Sequence, residues 1–174
     1  GYHLSPAILE TLNDRPNQMY FFHYQRINIL LDTAALQVNE WINRTGYLAM
    51  PIPASQLVDW ERGRGHLSHR ELGCLAGLGW RGRNNLLVNP RYGSQVRYIT
   101  ILTDLPLTID KPATSDCGQC TACISACPAG AIQLDPLQFR LDLCAAKLKE
   151  FMRSEKISQQ ICGVCVKHCP SRKR

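Results

Sequence analysis

No segment of this 174-residue chain approaches the ~20 consecutive apolar residues that a membrane-spanning helix needs. Apolar runs such as Ile29–Leu31 and Tyr98–Leu102 are far too short, so no transmembrane segment is expected. Low-complexity tracts are missing as well. With 45% hydrophobic and 20% charged residues, wholesale disorder, collagen-like repeats and coiled coil are excluded. There is no P-loop, no dinucleotide fingerprint and no nucleophile elbow, which removes hydride-cofactor chemistry and serine-type hydrolysis. His3, His23, His66, His69 and His168 show no metal-binding spacing. Position 1 is glycine, which leaves room for a removed targeting segment. The expectation is a soluble protein of one compact domain or two small ones.

What the chain does have is cysteine, nine in all. Cys74 stands alone on a short helix and reads as a small buried apolar residue. The other eight fall between Cys117 and Cys169. A disulfide scaffold would spread its cysteines through the chain, and cysteines two residues apart cross-link little. Metal is the better reading. Cys117, Cys120, Cys123 and Cys127 followed by Pro128 match the bacterial ferredoxin run C-x2-C-x2-C-x3-C-P. Cys144 and then Cys162, Cys165 and Cys169 before Pro170 repeat it without the close-set first cysteine. The fourth thiolate of such a run starts the next helix, points away and serves the other cluster. One [4Fe-4S] set is therefore Cys117, Cys120, Cys123 and Cys169; the other is Cys127, Cys144, Cys162 and Cys165. Two zinc sites are the competing reading, but they would use paired C-x2-C knuckles rather than this triple spacing.

Two cubanes also lower the formal charge of +6 to roughly +2, since eight thiolates outweigh two cores of roughly 2+ each. Arg62, Arg64, Arg70, Arg81, Arg83, Arg91 and Arg97 crowd the middle of the chain, and Lys167, Arg172, Lys173 and Arg174 close it. Such a face suits a phosphate-bearing ligand such as nucleic acid, or simply water.

Apolar positions from Ile27 to Ile42 recur at helical spacing and predict a helix over residues 24–43 with Gly46 at its end. A brief strand over 47–52 and a loop over 54–67 follow. Ser68 and Glu71 read as a capping box opening a helix through Ala76. Residues 84–88 and 96–103, parted by the turn signal Asn89–Gly93, predict a hairpin. Residues 104–116 form a linker, and Leu141, Cys144, Ala145, Leu148, Phe151 and Met152 fit one face of a helix lying over the clusters.

Three motifs now stand in order: residues 76–94, running from Ala76-Gly-Leu-Gly-Trp-Arg-Gly82 to Tyr92-Gly-Ser94; residues 101–107, Ile-Leu-Thr-Asp-Leu-Pro-Leu; and the cysteine pattern. Together they resemble the epoxyqueuosine reductase family over roughly residues 66–170. The corrinoid reductive dehalogenases resemble the chain less closely.

The resemblance implies an α+β fold: a truncated nitroreductase-like, corrinoid-binding half over residues 1–110, then a ferredoxin-like two-cluster domain over 111–174. It implies an iron-sulfur, cobalamin-dependent oxidoreductase in which the clusters deliver low-potential electrons to cobalt. Gly77, Gly79, Trp80, Gly82, Asn84, Tyr92, Gly93 and Ser94 would border the corrinoid; from spacing alone the glycines equally suit a packing turn. The family acts on a modified base of tRNA. Its proton-donating aspartate carries over without gaps onto Gly63, and only a gap brings Asp59 or Glu61 into register; His66 and His69 are the remaining acids. The competing reading is an electron-transfer module without chemistry of its own, feeding a partner such as a corrinoid protein. An electron donor such as a flavodoxin or a ferredoxin is expected, as is a reducing, oxygen-poor, cytoplasmic setting. Only about 65 residues precede the shared region; the oligomeric state is open, and a second copy in a homodimer could complete the front half.

Overall fold

A computed structural model of the chain describes residues 1–59 and 63–169. Glu61, Arg62, Pro170, Arg172, Lys173 and Arg174 lie outside the described residues. Helices dominate, and the strands are short. Strand β1 (Tyr2–His3) leads to α1 (Pro6–Glu10) and the long α2 (Gln18–Arg44); β2 (Ala49–Ile52), α3 (His69–Leu75), β3 (Trp80–Arg81), β4 (Leu87–Val88), β5 (Val96–Arg97) and β6 (Thr100–Thr103) follow. Beyond the linker come α4 (Ala122–Ala126), a single 3-10 turn (Pro136–Gln138), α5 (Leu141–Ser154) and α6 (Val164–Lys167).

Helix α2 starts earlier than its apolar period predicts, because Asn17 caps it: Tyr20 N donates to Asn17 Oδ1 at 2.8 Å. Ser68 caps α3 in the same way, accepting from Glu71 N at 3.3 Å. The predicted strand before Pro53 and the helix over the second cysteine group form as β2 and α5.

The predicted hairpin does not form. Among the described residues, β4 pairs with β3, β5 with β1, and β6 with β2, all antiparallel. The turn signal at 89–93 is real, with Asn89 and Gly93 exchanging two backbone hydrogen bonds of 2.8 and 2.9 Å. Asn89 Oδ1 also accepts from Arg91 N and Tyr92 N. Past that single bridge the two arms take partners far away in sequence, which hairpin signals do not report.

One buried apolar cluster draws on both ends of the chain. Leu4, Leu9, Leu12, Tyr20, Ile27 and Leu31 meet Ile157, Ile161 and Val166 in it. Polar ties reinforce the closure: Lys167 Nζ donates to Leu12 O at 2.8 Å, Gln18 Nε2 to Glu155 O at 2.8 Å, and Ser94 N to Cys169 O at 3.3 Å. The outer side of α2 is apolar as well, with Phe22, Ile29, Leu36 and Trp41 exposed.

Candidate metal centre and adjoining cavity

The eight clustered cysteines gather in space around two foci. Burial pushes the Cys123 thiol up to about 11, and the neighbouring charges that add to it are those of Cys169, Cys117 and Cys120. Cys162 is likewise pushed up to about 11 by burial, with Cys144 and Cys127 as its thiol neighbours. Cys165 is raised well above the usual thiol range by burial first, then by Cys162, Cys127 and Cys144, and least by Cys123 of the other group. Each group combines residues from both cysteine runs.

Local backbone explains how the cysteine runs turn. Gly118 adopts φ +52 between Cys117 and Cys120, and Gly163 adopts φ +82 between Cys162 and Cys165, a region open to glycine at little cost. Cys123 rides on α4 and Cys165 on α6. Among the described residues, no three His, Cys, Asp or Glu side chains converge on a point that one metal ion would fill.

Polar contacts around the first set come from the β3–β4 turn. Arg83 Nη1 donates to Cys120 O at 2.6 Å, Nη2 to Gly118 O at 2.9 Å and Nε to Leu134 O at 2.7 Å. Next to it, the buried Asn84 Nδ2 donates to Ser94 Oγ at 2.9 Å. The Ser94 hydroxyl in turn bonds to the Cys169 thiol, partly offsetting the upward push of burial there.

The second set borders a cavity of about 380 Å³. Cys127, Cys144, Cys162 and Cys165 all reach its wall, as do Leu141 and Lys147 of α5. Tyr20, Tyr24 and Arg97 stand in the same wall. Arg97 is fixed by Asn28 Oδ1 (2.9 Å from Nη2), by Ala54 O (3.0 Å) and by the face of Tyr24, 4.4 Å from ring centroid to guanidinium. Among the described residues it forms no ion pair. A smaller cavity of about 230 Å³ shares Tyr24, Ala54, His69 and Arg97 with the first.

Of the eight residues expected beside a corrinoid, Asn84 and Ser94 line the large cavity; the other six do not. A Cβ on Gly79 would collide with the Val88 carbonyl, and one on Gly82 with the Val88 side chain. A Cβ on Gly77 would stand 2.5 Å from Lys111 O. These glycines serve the protein's own packing. Trp80 is buried in β3, Gly93 closes the 89–93 turn, and Tyr92 stacks on His3 at 4.5 Å.

The acid candidates fare unevenly. Gly63, onto which the family aspartate carries over, borders the smaller cavity together with His66, and it has no side chain to give a proton. Asp59 bridges to Arg64 and lines neither cavity. His69 is held at both ring nitrogens, Nε2 2.9 Å from Pro53 O and Nδ1 2.8 Å from Thr100 Oγ1. Nε2, facing a carbonyl, carries a hydrogen and donates it there, while the threonine hydroxyl can serve Nδ1 as donor or acceptor. The spacing of single residues did not single out Tyr20, Tyr24 or the inward roles of Arg83 and Arg97. The basic face expected in mid-chain is also broken up, since Arg70, Arg83 and Arg97 bond inward to Asn85 O, the 118–134 carbonyls and Asn28.

No protein-family model matches the chain. Its fold is that of the epoxyqueuosine reductases and reductive dehalogenases, a mixture of helix and short sheet. A solved structure of an epoxyqueuosine reductase with an epoxyqueuosine-modified tRNA-Tyr stem loop is matched over 83% of this chain and 38% of that one, at a TM-score of 0.61 and 27% identity. A B12-dependent reductive dehalogenase is matched over 97% of this chain and 24% of that one, at a TM-score of 0.74 and 22% identity. In sequence, the epoxyqueuosine reductase of Bacillus cereus is 38% identical over 117 residues, 63% of this chain and 30% of that protein. That of Listeria monocytogenes is 36% identical over 115 residues, 61% and 30% respectively. The chain is thus a partial relative of the epoxyqueuosine reductases, spanning about 30% of the length of these curated relatives. No described helix is long and apolar enough to cross a membrane.

Proposed function

We propose that this chain is an iron-sulfur redox protein of the epoxyqueuosine reductase type, holding two [4Fe-4S] clusters and passing electrons to an acceptor at the large cavity. The observation that carries this reading is the gathering of eight thiols around two foci, one of which forms the cavity wall. In a cubane each thiolate holds its own iron, so the four sulfurs stand farther apart than the ~3.8 Å that a 2.3 Å zinc–sulfur bond imposes. Three thiols spaced two residues apart with a fourth from a distant run suit a cubane better than the paired knuckles of a zinc site. Cys117, Cys120, Cys123 and Cys169 would hold one, and Cys127, Cys144, Cys162 and Cys165 the other. When bound, the clusters supply low-potential electrons.

What the residues themselves do is hold and desolvate. Buried thiols of raised pKa stay protonated at neutral pH, so loading must expel protons. The α5 residues Leu141 and Leu148 wall the second set on its outer side. Arg97 presents a fixed positive charge to the cavity.

A whole cobalamin is several times larger than 380 Å³, and the cysteines claim part of that space. The cavity of this chain admits an edge of a corrinoid, not the whole cofactor. This observation gives weight to a second reading, in which the chain feeds electrons to a corrinoid or other acceptor held by a partner. Of the central arginines Arg70, Arg83 and Arg97 bond inward, while Arg64, Arg81 and Arg91 stay exposed and leave a smaller basic surface for a tRNA such as that bound by the homologous reductase. Residues 1–110 and 111–169 share one core, so the proposed halves would act as a single unit.

The deciding experiment is anaerobic reconstitution with iron and sulfide, then absorption titration with cobalamin. About eight irons per chain are expected. A saturable shift of the corrinoid bands assigns cobalt chemistry to this chain, and eight irons with no shift make it an electron carrier. Zinc in place of iron refutes both.

A further inference from the structure

The hairpin turn between β3 and β4 reaches the first cysteine set by two routes. Arg83 spends all three of its guanidinium nitrogens on main-chain carbonyls of Gly118, Cys120 and Leu134, at 2.6–2.9 Å. Asn84, the next residue, is buried and reaches Cys169 through the Ser94 hydroxyl. Cys169 is remote in sequence from Cys117 and Cys120, yet all three belong to one set. A five-residue turn therefore touches both separated stretches of chain that supply it.

Arg83 is half-buried, and its acceptors are neutral. Among the described residues it forms no ion pair, so its charge is uncompensated there. Its three bonds lie at the protein surface, and neutral carbonyls leave the guanidinium charge available to a neighbouring anion. Four thiolates around a 2+ core carry a net negative charge, which would supply the missing counter-charge. Hydrogen bonds from Arg83 withdraw density from carbonyls flanking Cys117 and Cys120, and the Ser94 hydroxyl acts on the Cys169 sulfur itself. Charge and hydrogen bonds of this kind favour the reduced state of a cluster.

We propose that Arg83 is a positioning residue and counter-charge for the cluster of Cys117, Cys120, Cys123 and Cys169, raising its reduction potential relative to that of the other cluster. This rests on the two-cluster reading above.

The test is an anaerobic potentiometric titration of the loaded full chain, followed by electron paramagnetic resonance. Two waves are expected in the wild type. Arg83→Gln removes the charge and should lower one wave by at least tenfold in the reduction equilibrium, about 59 mV for one electron, leaving the other in place. Arg83→Lys keeps the charge without the fork and should move the same wave less. Arg81→Gln is the control, since Arg81 is exposed and bonds to Asn85 rather than to the cysteine loop; neither wave should move. If Arg83→Gln holds only about four irons, the potential is read on Ser94→Ala, which keeps the clamp. The wave lost in the first variant must then be the one that falls in the second. Eight irons in Arg83→Gln with both waves unmoved, or an equal shift in Arg81→Gln, overturns the proposal. A wild-type chain that takes up no iron refutes the cluster reading itself, and this inference with it.

Discussion

Gly163 sits at the tightest point of the second cysteine set. Its φ of +82 is a conformation that costs a side-chain-bearing residue about 1–2 kcal/mol. A Cβ there would also stand 2.5 Å from Tyr20 Cζ, 2.6 Å from Cε1 and 2.8 Å from the hydroxyl. Tyr20 is buried in the apolar core on the first turn of α2, and its ring also borders the large cavity, which relieves only part of the clash. Overpacking of such a site costs about 1–3 kcal/mol. Gly163→Ala should therefore lose about 2–5 kcal/mol in all, which for a chain of this size lowers Tm by roughly 5–15 °C. Gly46→Ala separates the two contributions: Gly46 has φ +91, and a Cβ there would meet nothing within 4 Å, so it should show the backbone cost alone. Thermal denaturation followed by circular dichroism, on anaerobically loaded protein, measures both. A Tyr20→Leu background should recover part of the Gly163→Ala loss, a coupling of about 1–3 kcal/mol. If Gly163→Ala proves no more damaging than Gly46→Ala, Tyr20 does not pack tightly against the ligand loop.

Two further outcomes follow from the thiols. Cys123 and Cys162 hold their protons up to about 11 in the folded chain, against an ordinary thiol value of 9.0. The stability this confers on the iron-free protein is fully present below pH 9 and is lost as pH rises towards 11. The urea midpoint of the reduced, iron-free chain should fall across that window, and a flat or rising midpoint contradicts it. Cys74, outside both sets, is raised by burial beside Arg70 and Arg81. Cys74→Ser should retain about eight irons, while Cys165→Ser should lose about half by colorimetric iron assay; equal iron content in the two variants counts against the assignment.

Local chemistry made much of the fold legible. The apolar period of α2, the Ser68 cap of α3, the strand before Pro53 and the face of α5 are all written within a turn or two of sequence. Sheet pairing is not. Val96 and Arg97 pair with Tyr2 and His3, more than half the chain away, and Thr100–Thr103 pairs back to Ala49–Ile52. A turn signal at 89–93 specifies a reversal, but nothing in it says which strand will lie alongside afterwards. Nor did the α2 period disclose its start at Gln18, since Gln18 and Met19 break the apolar rhythm and only the Asn17 cap marks the boundary.

The site divides along the same line. Cysteine spacing encodes a ligand set because one tight loop must present several thiolates to one object, and the crossing ligand is dictated by the helix that begins at it. The thiol neighbours of Cys123 and of Cys162 each include a residue from the other cysteine run, as such a crossing requires. The contacts that would tune the thiolates are encoded differently. Arg83 reads as one more member of a basic run until its three acceptors are seen at separations of 35 to 51 residues, and Arg97 reads as a surface charge until Asn28 and Tyr24 pin it in a cavity wall. Arginine, unlike cysteine, has no spacing rule, because a single long side chain supplies its whole fork. Glycine misleads in the opposite direction: Gly77, Gly79 and Gly82 form a dense motif suited to a ligand, yet the backbone they admit is the protein's own. For a chain that shares only part of its relatives' length, the reliable inheritance is therefore the chemistry held within one segment, and the cavity must be read from the residues that fold into it.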